Sequence, residues 1–366
     1  MTRASLRLLV FVSGTILLAG CLPDDMPAYV NDGKTIVVKA GGPYGDVLWT
    51  YDVQSKTATA HPPPEKQELQ SARMLGDQVW VQWAVNENVS ACKRFDPLKN
   101  EFLPGPPELD GRNWLSGAIP ASYEGKKCLF IPARGSADAE GKIAYDVFSF
   151  PELKKQKTVS LNQVIPAGRF WWVTLKVKEG GQGWGEIEHV EHFNAEGKQV
   201  VSILRDEGRK MTYTPGKFPG YARTSDDGSA LLLAFGDQGC YNFGVFDAGS
   251  GKFLWGGATE RGLRGNPLVK KTEVWSLEQT EDVKRIALVR HRPGEKTEGP
   301  KGKRETIVTY PAADADPFHD QFTPSPDGSH FVMLLTGTPP RLLFIPIKEG
   351  VTEKDVRCVE LKEAGR

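Results

Sequence analysis

Beyond residue 29 the chain carries no sustained apolar pattern of helical period. It carries short runs in which side chains alternate in character every second residue, each closed by Gly, Pro, Asn or Asp. The run 35–39 (TIVVK) is one. Val79, Val81, Trp83 and Val85 share one face of another, with Trp80, Gln82 and Ala84 on the opposite face. Phe170, Trp172, Thr174 and Lys176 alternate with Trp171, Val173, Leu175 and Val177, and 229–235 and 330–336 repeat the theme. In an extended chain successive side chains point to opposite faces, so these runs predict short β-strands.

An internal repeat orders the strands. Ser225-Asp226-Asp227-Gly228-Ser229 precedes ALLLAF, and Ser325-Pro326-Asp327-Gly328-Ser329 precedes HFVMLL, 100 residues later. Asn31-Asp32-Gly33-Lys34, before TIVV, is a weaker third copy. Asp bonds nearby backbone and Gly accepts a positive φ, so each copy predicts a sharp turn immediately before a strand. The spacing fits units of about 49 residues, within the range of four-stranded propeller blades. The 345 residues that follow Cys21 accommodate seven such units. The expected fold is therefore all-β, a β-propeller of seven blades, with six or eight as alternatives. The blades are expected to begin near 30, 68, 110, 164, 212, 263 and 316.

The repeated turn also carries a resemblance. SPDGS ahead of an apolar strand resembles the blades of TolB-type and related WD-repeat-like propellers. Phe246-Asp247-Ala248-Gly249-Ser250-Gly251-Lys252-Phe253-Leu254-Trp255 is similar to the D-x-x-x-G-K-x-L-W blade ending of quinoprotein-like propellers, including BamB-type assembly lipoproteins. Leu48-Trp49-Thr50-Tyr51-Asp52 followed by VQSKT resembles the same hairpin. These resemblances imply an architecture. They do not imply one activity, because propellers host unrelated functions.

The first 29 residues read differently. Arg3 and Arg7 precede an uncharged, mostly apolar run that is too short to span a bilayer, the layout of an export signal. Leu18-Ala19-Gly20-Cys21 resembles the lipobox of bacterial lipoproteins. That resemblance implies cleavage before Cys21 and acylation of its thiol and new amino group, anchoring the chain in a lipid bilayer. The alternative is an ordinary secretory signal that happens to contain a cysteine. Leu22, where Asp commonly signals inner-membrane retention, points to the outer membrane, facing the periplasm. The domain organisation expected is a signal peptide over 1–20, the lipidated cysteine and a short tether over 21–29, and a single propeller domain over 30–366.

Composition narrows the function classes. With 39 Gly and 26 Pro, turns are over-supplied and a helical bundle is disfavoured. Lys+Arg and Asp+Glu both number 46, which argues against a dedicated nucleic-acid binder, a protein that needs a basic face. Removal of 1–20 takes Arg3 and Arg7 with it and leaves a slightly acidic body.

The chemistry-bearing residues form no familiar catalytic set. No G-x-S-x-G elbow occurs, and the six histidines are scattered. In Glu188-His189-Val190-Glu191-His192 the two imidazoles fall on opposite faces of a strand, so a shared metal is not expected. Asp314, Asp316, His319 and Asp320 form the densest group, in a loop that leads into the last marked strand. They are the candidate ligand or ion loop, set against the plain reading of turn-forming Asp residues. The stretch from His291 to Arg304 is basic and is expected to be a long, exposed hairpin loop. Trp184 is the one tryptophan expected outside a strand core. Four cysteines follow Cys21, namely Cys92, Cys128, Cys240 and Cys358, which allows two disulfides or buried thiols in an oxidising compartment. No catalytic residue, metal or cofactor is assigned. The expected function is a membrane-anchored binding or scaffold module whose partner is an envelope protein or a small ligand. The competing expectation is a periplasmic glycan lyase or hydrolase with acidic and histidine residues at the channel mouth.

Overall fold

A computed structural model describes residues 27–42, 45–63, 67–86, 89–109, 114–133, 142–177, 187–204, 219–235, 242–259, 265–280, 284–294, 302–311 and 322–362. Seven four-stranded antiparallel sheets follow one another along the chain, each with its strands hydrogen-bonded in sequence order. This is a seven-blade β-propeller. Blades 1 to 7 span 28–61, 68–104, 119–161, 164–204, 219–258, 268–311 and 322–360. No helix among the described residues is long and apolar enough to cross a membrane.

The blade starts agree with the repeat count at 68 and 164, and elsewhere fall a few residues away. Blade 1 begins at Ala28, so Ala28 and Tyr29 belong to the first strand (Ala28–Val30) and not to the tether. Blade 3 begins at Ile119 because two short 3-10 turns, Pro107–Leu109 and Leu115–Gly117, fill the approach to it.

The apolar residues form seven separate clusters, one at each junction between neighbouring blades. The alternation along each strand explains this. In the strand Gln78–Asn86, Val79, Val81 and Trp83 face blade 1, while Trp80 faces blade 3. Both faces of a sheet are covered, so the apolar demand on each strand is doubled. Eight of the nine tryptophans lie among the described residues; seven are buried and Trp171 is half-buried. Trp184 lies outside the described residues.

The marked turns share one geometry. In blade 5, Gly228 N–H donates to Ser225 O (2.9 Å), Ser225 Oγ donates to Asp227 (2.6 Å) and Ala230 N–H donates to Ser225 Oγ (2.9 Å). Blade 7 repeats this with Ser325, Asp327, Gly328 and His330. Gly228 and Gly328 have φ of 69° and 67°, which explains the glycine. The Ser325 hydroxyl and the N–H and hydroxyl of Ser329 hold the carboxyl of Asp327 down to about 2, and Ser225 and Ser229 lower that of Asp227 in the same way. The turn between third and fourth strands also recurs. Asp52, Asp96, Asn194 and Asp247 each accept backbone N–H groups from two to four residues ahead, so the hairpin suggested in blades 1 and 5 is present in four blades.

The ring closes without strand exchange, because blades 1 and 7 are each built from one continuous stretch. Closure rests on side chains. Ile36, Val38 and Tyr51 of blade 1 pack against Val332, Leu342 and Phe344 of blade 7. The Tyr51 and Phe344 rings are 5.8 Å apart, and Arg357 lies over the Phe344 ring. A polar bond joins the same blades, between the Tyr29 hydroxyl and His330 Nε2 (2.7 Å).

The two ends of the stretch from His291 to Arg304 are strand and not the solvated loop expected. The third and fourth strands of blade 6, Arg285–Pro293 and Gly302–Pro311, pair as far as Pro293 and Gly302. His291 is buried and Arg304 turns inward. A carboxylate on the second strand, Glu278, draws both in: it lies 2.8 Å from His291 Nε2 and 3.1 Å from Arg304 Nη2. Residues 295–301 lie outside the described ones.

Truncation at the closure, Phe344→Ala, is expected to cost about 3–5 kcal/mol, the range for a buried aromatic. Leu98→Ser, on an exposed turn, is expected to stay within about 0.5 kcal/mol. Urea denaturation of the two variants measures both. Equal midpoints would contradict closure by packing.

Candidate functional site

The first strands of the seven blades stand around the central channel. Each is the free edge of its sheet there, so its unpaired backbone groups face the channel. Pro120, Pro166 and Pro324 occupy such edge positions, where a missing N–H breaks no ladder bond. Between the strands lies a pocket of about 590 Å³. Its rim is formed by turns between first and second strands: Asn31 to Gly33 of blade 1, Gly76 and Asp77 of blade 2, Gly168 and Arg169 of blade 4, and Pro326 of blade 7.

Three arginines line it. Arg73, almost fully buried, donates to Leu115 O (2.7 Å) and Ala118 O (3.1 Å), pinning the approach to blade 3. Arg169 pairs with Asp77 at 3.1 Å on the rim; both are exposed, so the bond contributes less than about 1 kcal/mol. Arg223, half-buried on the first strand of blade 5, makes no side-chain bond among the described residues. Asn266, before the first strand of blade 6, and Thr323, in that of blade 7, are half-buried pocket residues whose side chains likewise have no described protein partner.

Beside the pocket runs a polar chain. Ser329 Oγ donates to Asp327 (2.8 Å) and so accepts from His330 Nδ1 (2.9 Å), which leaves His330 Nε2 to accept from the Tyr29 hydroxyl (2.7 Å). The serine proton therefore points to the carboxylate and not to the imidazole. That is the reverse of an activated nucleophile, whose proton goes to histidine. Burial raises the Tyr29 hydroxyl above its ordinary range and lowers His330, so both stay neutral. The chain is a lock between blades 7 and 1.

The candidates from the sequence divide as follows. Asp314, Asp316, His319 and Asp320 lie outside the described residues, as do Cys21 and Cys240. His189 and His192 sit on opposite faces of the strand Ile187–Phe193. His192 is fully buried, bonds Thr224 of blade 5 (3.0 Å), and lies against Trp171. Burial lowers its pKa to about 4. Cys92, Cys128 and Cys358 lie on blades 2, 3 and 7 and form no disulfide with one another, so the two-bridge arrangement is not formed. Cys358 is exposed, which corrects the expectation of buried thiols throughout; burial pushes the Cys128 thiol up to about 12.

Sequence reasoning missed the pocket residues, although the turn marker points to them. Tyr29, Arg223 and Thr323 stand two positions before Asn31, Ser225 and Ser325, the first residues of the three marked turns, and all three line the pocket.

No family model matches the chain, and no curated protein matches it. Solved structures do. An oligogalacturonate lyase in complex with manganese is 12% identical over 88% of each chain, with a TM-score of 0.52. A chain of a mitotic checkpoint complex is 11% identical over 90% of this chain and 93% of its own, with a TM-score of 0.51. Kluyveromyces lactis Hsv2 is 10% identical over 92% of this chain and 98% of its own, with a TM-score of 0.48. At these identities the likeness is one of fold.

His192 makes stability depend on pH. Its folded pKa is below the usual 6.5, so its contribution is complete above that value and declines as pH falls toward 4. Between pH 7 and pH 5 the loss from this group is about 2 kcal/mol. Urea titrations at both pH values are expected to show a smaller loss for His192→Gln than for wild type. An unchanged pH slope in the variant would refute the assignment.

Proposed function

We propose that the protein is a lipid-anchored envelope lipoprotein whose propeller is a binding or scaffold module, with the central pocket as its ligand site. The observation that carries the binding reading is the pocket itself. It is concave, of ligand-binding size, mostly apolar in its walls, and supplied with a few polar groups that have no described protein partner. The polar chain beside it is oriented as a structural bond and not as an acid–base relay.

The anchor reading rests on Leu18-Ala19-Gly20-Cys21. Chain geometry supports a consistent placement. Ala28 enters the ring at the end of the first strand away from the Asn31–Gly33 rim. The six residues between Cys21 and Ala28 reach at most about 22 Å when extended. An acylated Cys21 on so short a leash keeps the entry end of the ring toward the bilayer and leaves the rim facing the periplasm. Leu22 after the cysteine favours the outer membrane.

Mass spectrometry of the mature N-terminus is expected to find acylated Cys21. Cys21→Ser is expected to move the protein from the membrane to the soluble fraction. An unmodified N-terminus elsewhere would defeat the anchor reading. Cross-linking in the native envelope tests the scaffold role: a reproducible protein partner supports it, and its absence leaves small-ligand binding as the function of the module.

A further inference from the structure

Arg223, Asn266 and Thr323 belong to three consecutive blades, 5, 6 and 7, and form one arc of the pocket wall. The arc combines a cation with an amide and a hydroxyl, all half-buried and all without a described side-chain partner. Below the rim, the wall that blades 3 and 4 supply is of another kind. Pro120, Ile165 and Pro166 present apolar rings and methyl groups. At the proline positions the strand edges offer carbonyl acceptors with no N–H donor beside them.

We propose that this pocket binds a small sugar acid: one carboxylate on a body carrying several hydroxyls. The proposal rests on the pocket being the ligand site and names the chemistry of its occupant. Arg223 takes the carboxylate, through the planar fork that guanidinium groups offer to such anions. Asn266 and Thr323 take hydroxyls next to it, each able to donate and accept. Further hydroxyls donate to the edge carbonyls, which an anion without O–H groups, such as acetate, cannot do. The C–H face of the ligand lies against the prolines. A neutral sugar satisfies the hydroxyl partners and leaves Arg223 unmatched. An anion without hydroxyls does the reverse.

The test is calorimetric titration of the full chain, purified in detergent, with gluconate, glucose and acetate as probes. Gluconate is expected to give a saturable heat, with glucose and acetate at least about tenfold weaker. Arg223→Gln is expected to weaken gluconate about 10- to 100-fold, the loss of a charge-assisted bond. Thr323→Val is expected to weaken it less, and Lys99→Gln, on a distant turn, to leave it unchanged. Thermal melting shows whether each variant is folded. If Arg223→Gln melts early, Arg223→Lys replaces it, and loss of the fork alone is expected to weaken gluconate severalfold. Three results overturn the proposal: no saturable heat with gluconate, equal binding of glucose and gluconate, or wild-type affinity in a folded Arg223 variant. None of them touches the anchor reading, which fails only on the mass of the N-terminus. A pocket that rejects gluconate in a chain that still cross-links a protein partner leaves the scaffold role standing.

Discussion

Every sheet in this molecule needs a neighbour on both faces. A blade standing alone exposes two apolar surfaces, and only a closed ring covers all fourteen. Closure is therefore the constraint on which the fold depends. Without strand exchange it is carried by the junction of blades 7 and 1, where Tyr51 and Phe344 meet and Val332 packs near Ile36. This junction differs from the other six in one respect. Those join blades that follow one another along the chain, whereas this one joins stretches some 300 residues apart, and its loop-closure entropy is the largest in the ring. The Tyr29–His330 bond adds little energy beside the apolar contact. Its effect is geometric, because it sets the height of the first strand of blade 1 against blade 7.

Buried polar bonds recur at other junctions. His192 of blade 4 meets Thr224 of blade 5. Trp172 of blade 4 donates to Ser122 O of blade 3. Within blade 6, Glu278 gathers His291 and Arg304 on the face turned toward blade 5, where His291 meets the edge of Phe243. Apolar contacts between flat sheets tolerate sliding; a hydrogen bond between fixed atoms does not. A hydrogen-bonded polar pair in an apolar junction therefore specifies register. Glu278 illustrates the balance. Burial, the largest influence, pushes its carboxyl up, and the combined pull of His291 and Arg304 still leaves it below the usual range.

Strands and turns were legible in the sequence because their causes are local. Alternation follows from backbone geometry, and the Ser-x-Asp-Gly turn is closed by its own side chains. The blade count was legible because the turn repeats. What was not legible depends on contacts between strands, within a blade or across blades. His291 and Arg304 read as a solvated charge run, since the carboxylate that buries them is Glu278, on a neighbouring strand. Cys358 read as a disulfide partner or a buried thiol, yet it lies on the fourth strand of its blade, at the outer edge of the ring, and is exposed. Phe170 reads as strand by alternation, yet it takes a φ of 63° and is buried against Phe150 of blade 3, so tertiary packing outweighs the local pattern.

The turn marker links architecture to the pocket. Its serine and aspartate fix where the first strand ends, and the strand's two-residue period then fixes which side chain stands two positions earlier. In blades 1, 5 and 7 that position is Tyr29, Arg223 and Thr323, and each lines the channel. Substitution at this position leaves the turn chemistry untouched, because the bonds of Ser225, Asp227 and Gly228 are all made within the turn and the strand after it. The side chain two before the turn is thus free of structural duty in blades 5 and 7, where it makes no described side-chain bond, while in blade 1 it is committed to closure through Tyr29. A fold held by its junctions and turns leaves the channel-facing positions of those two blades open to binding chemistry, and this is where the arginine stands.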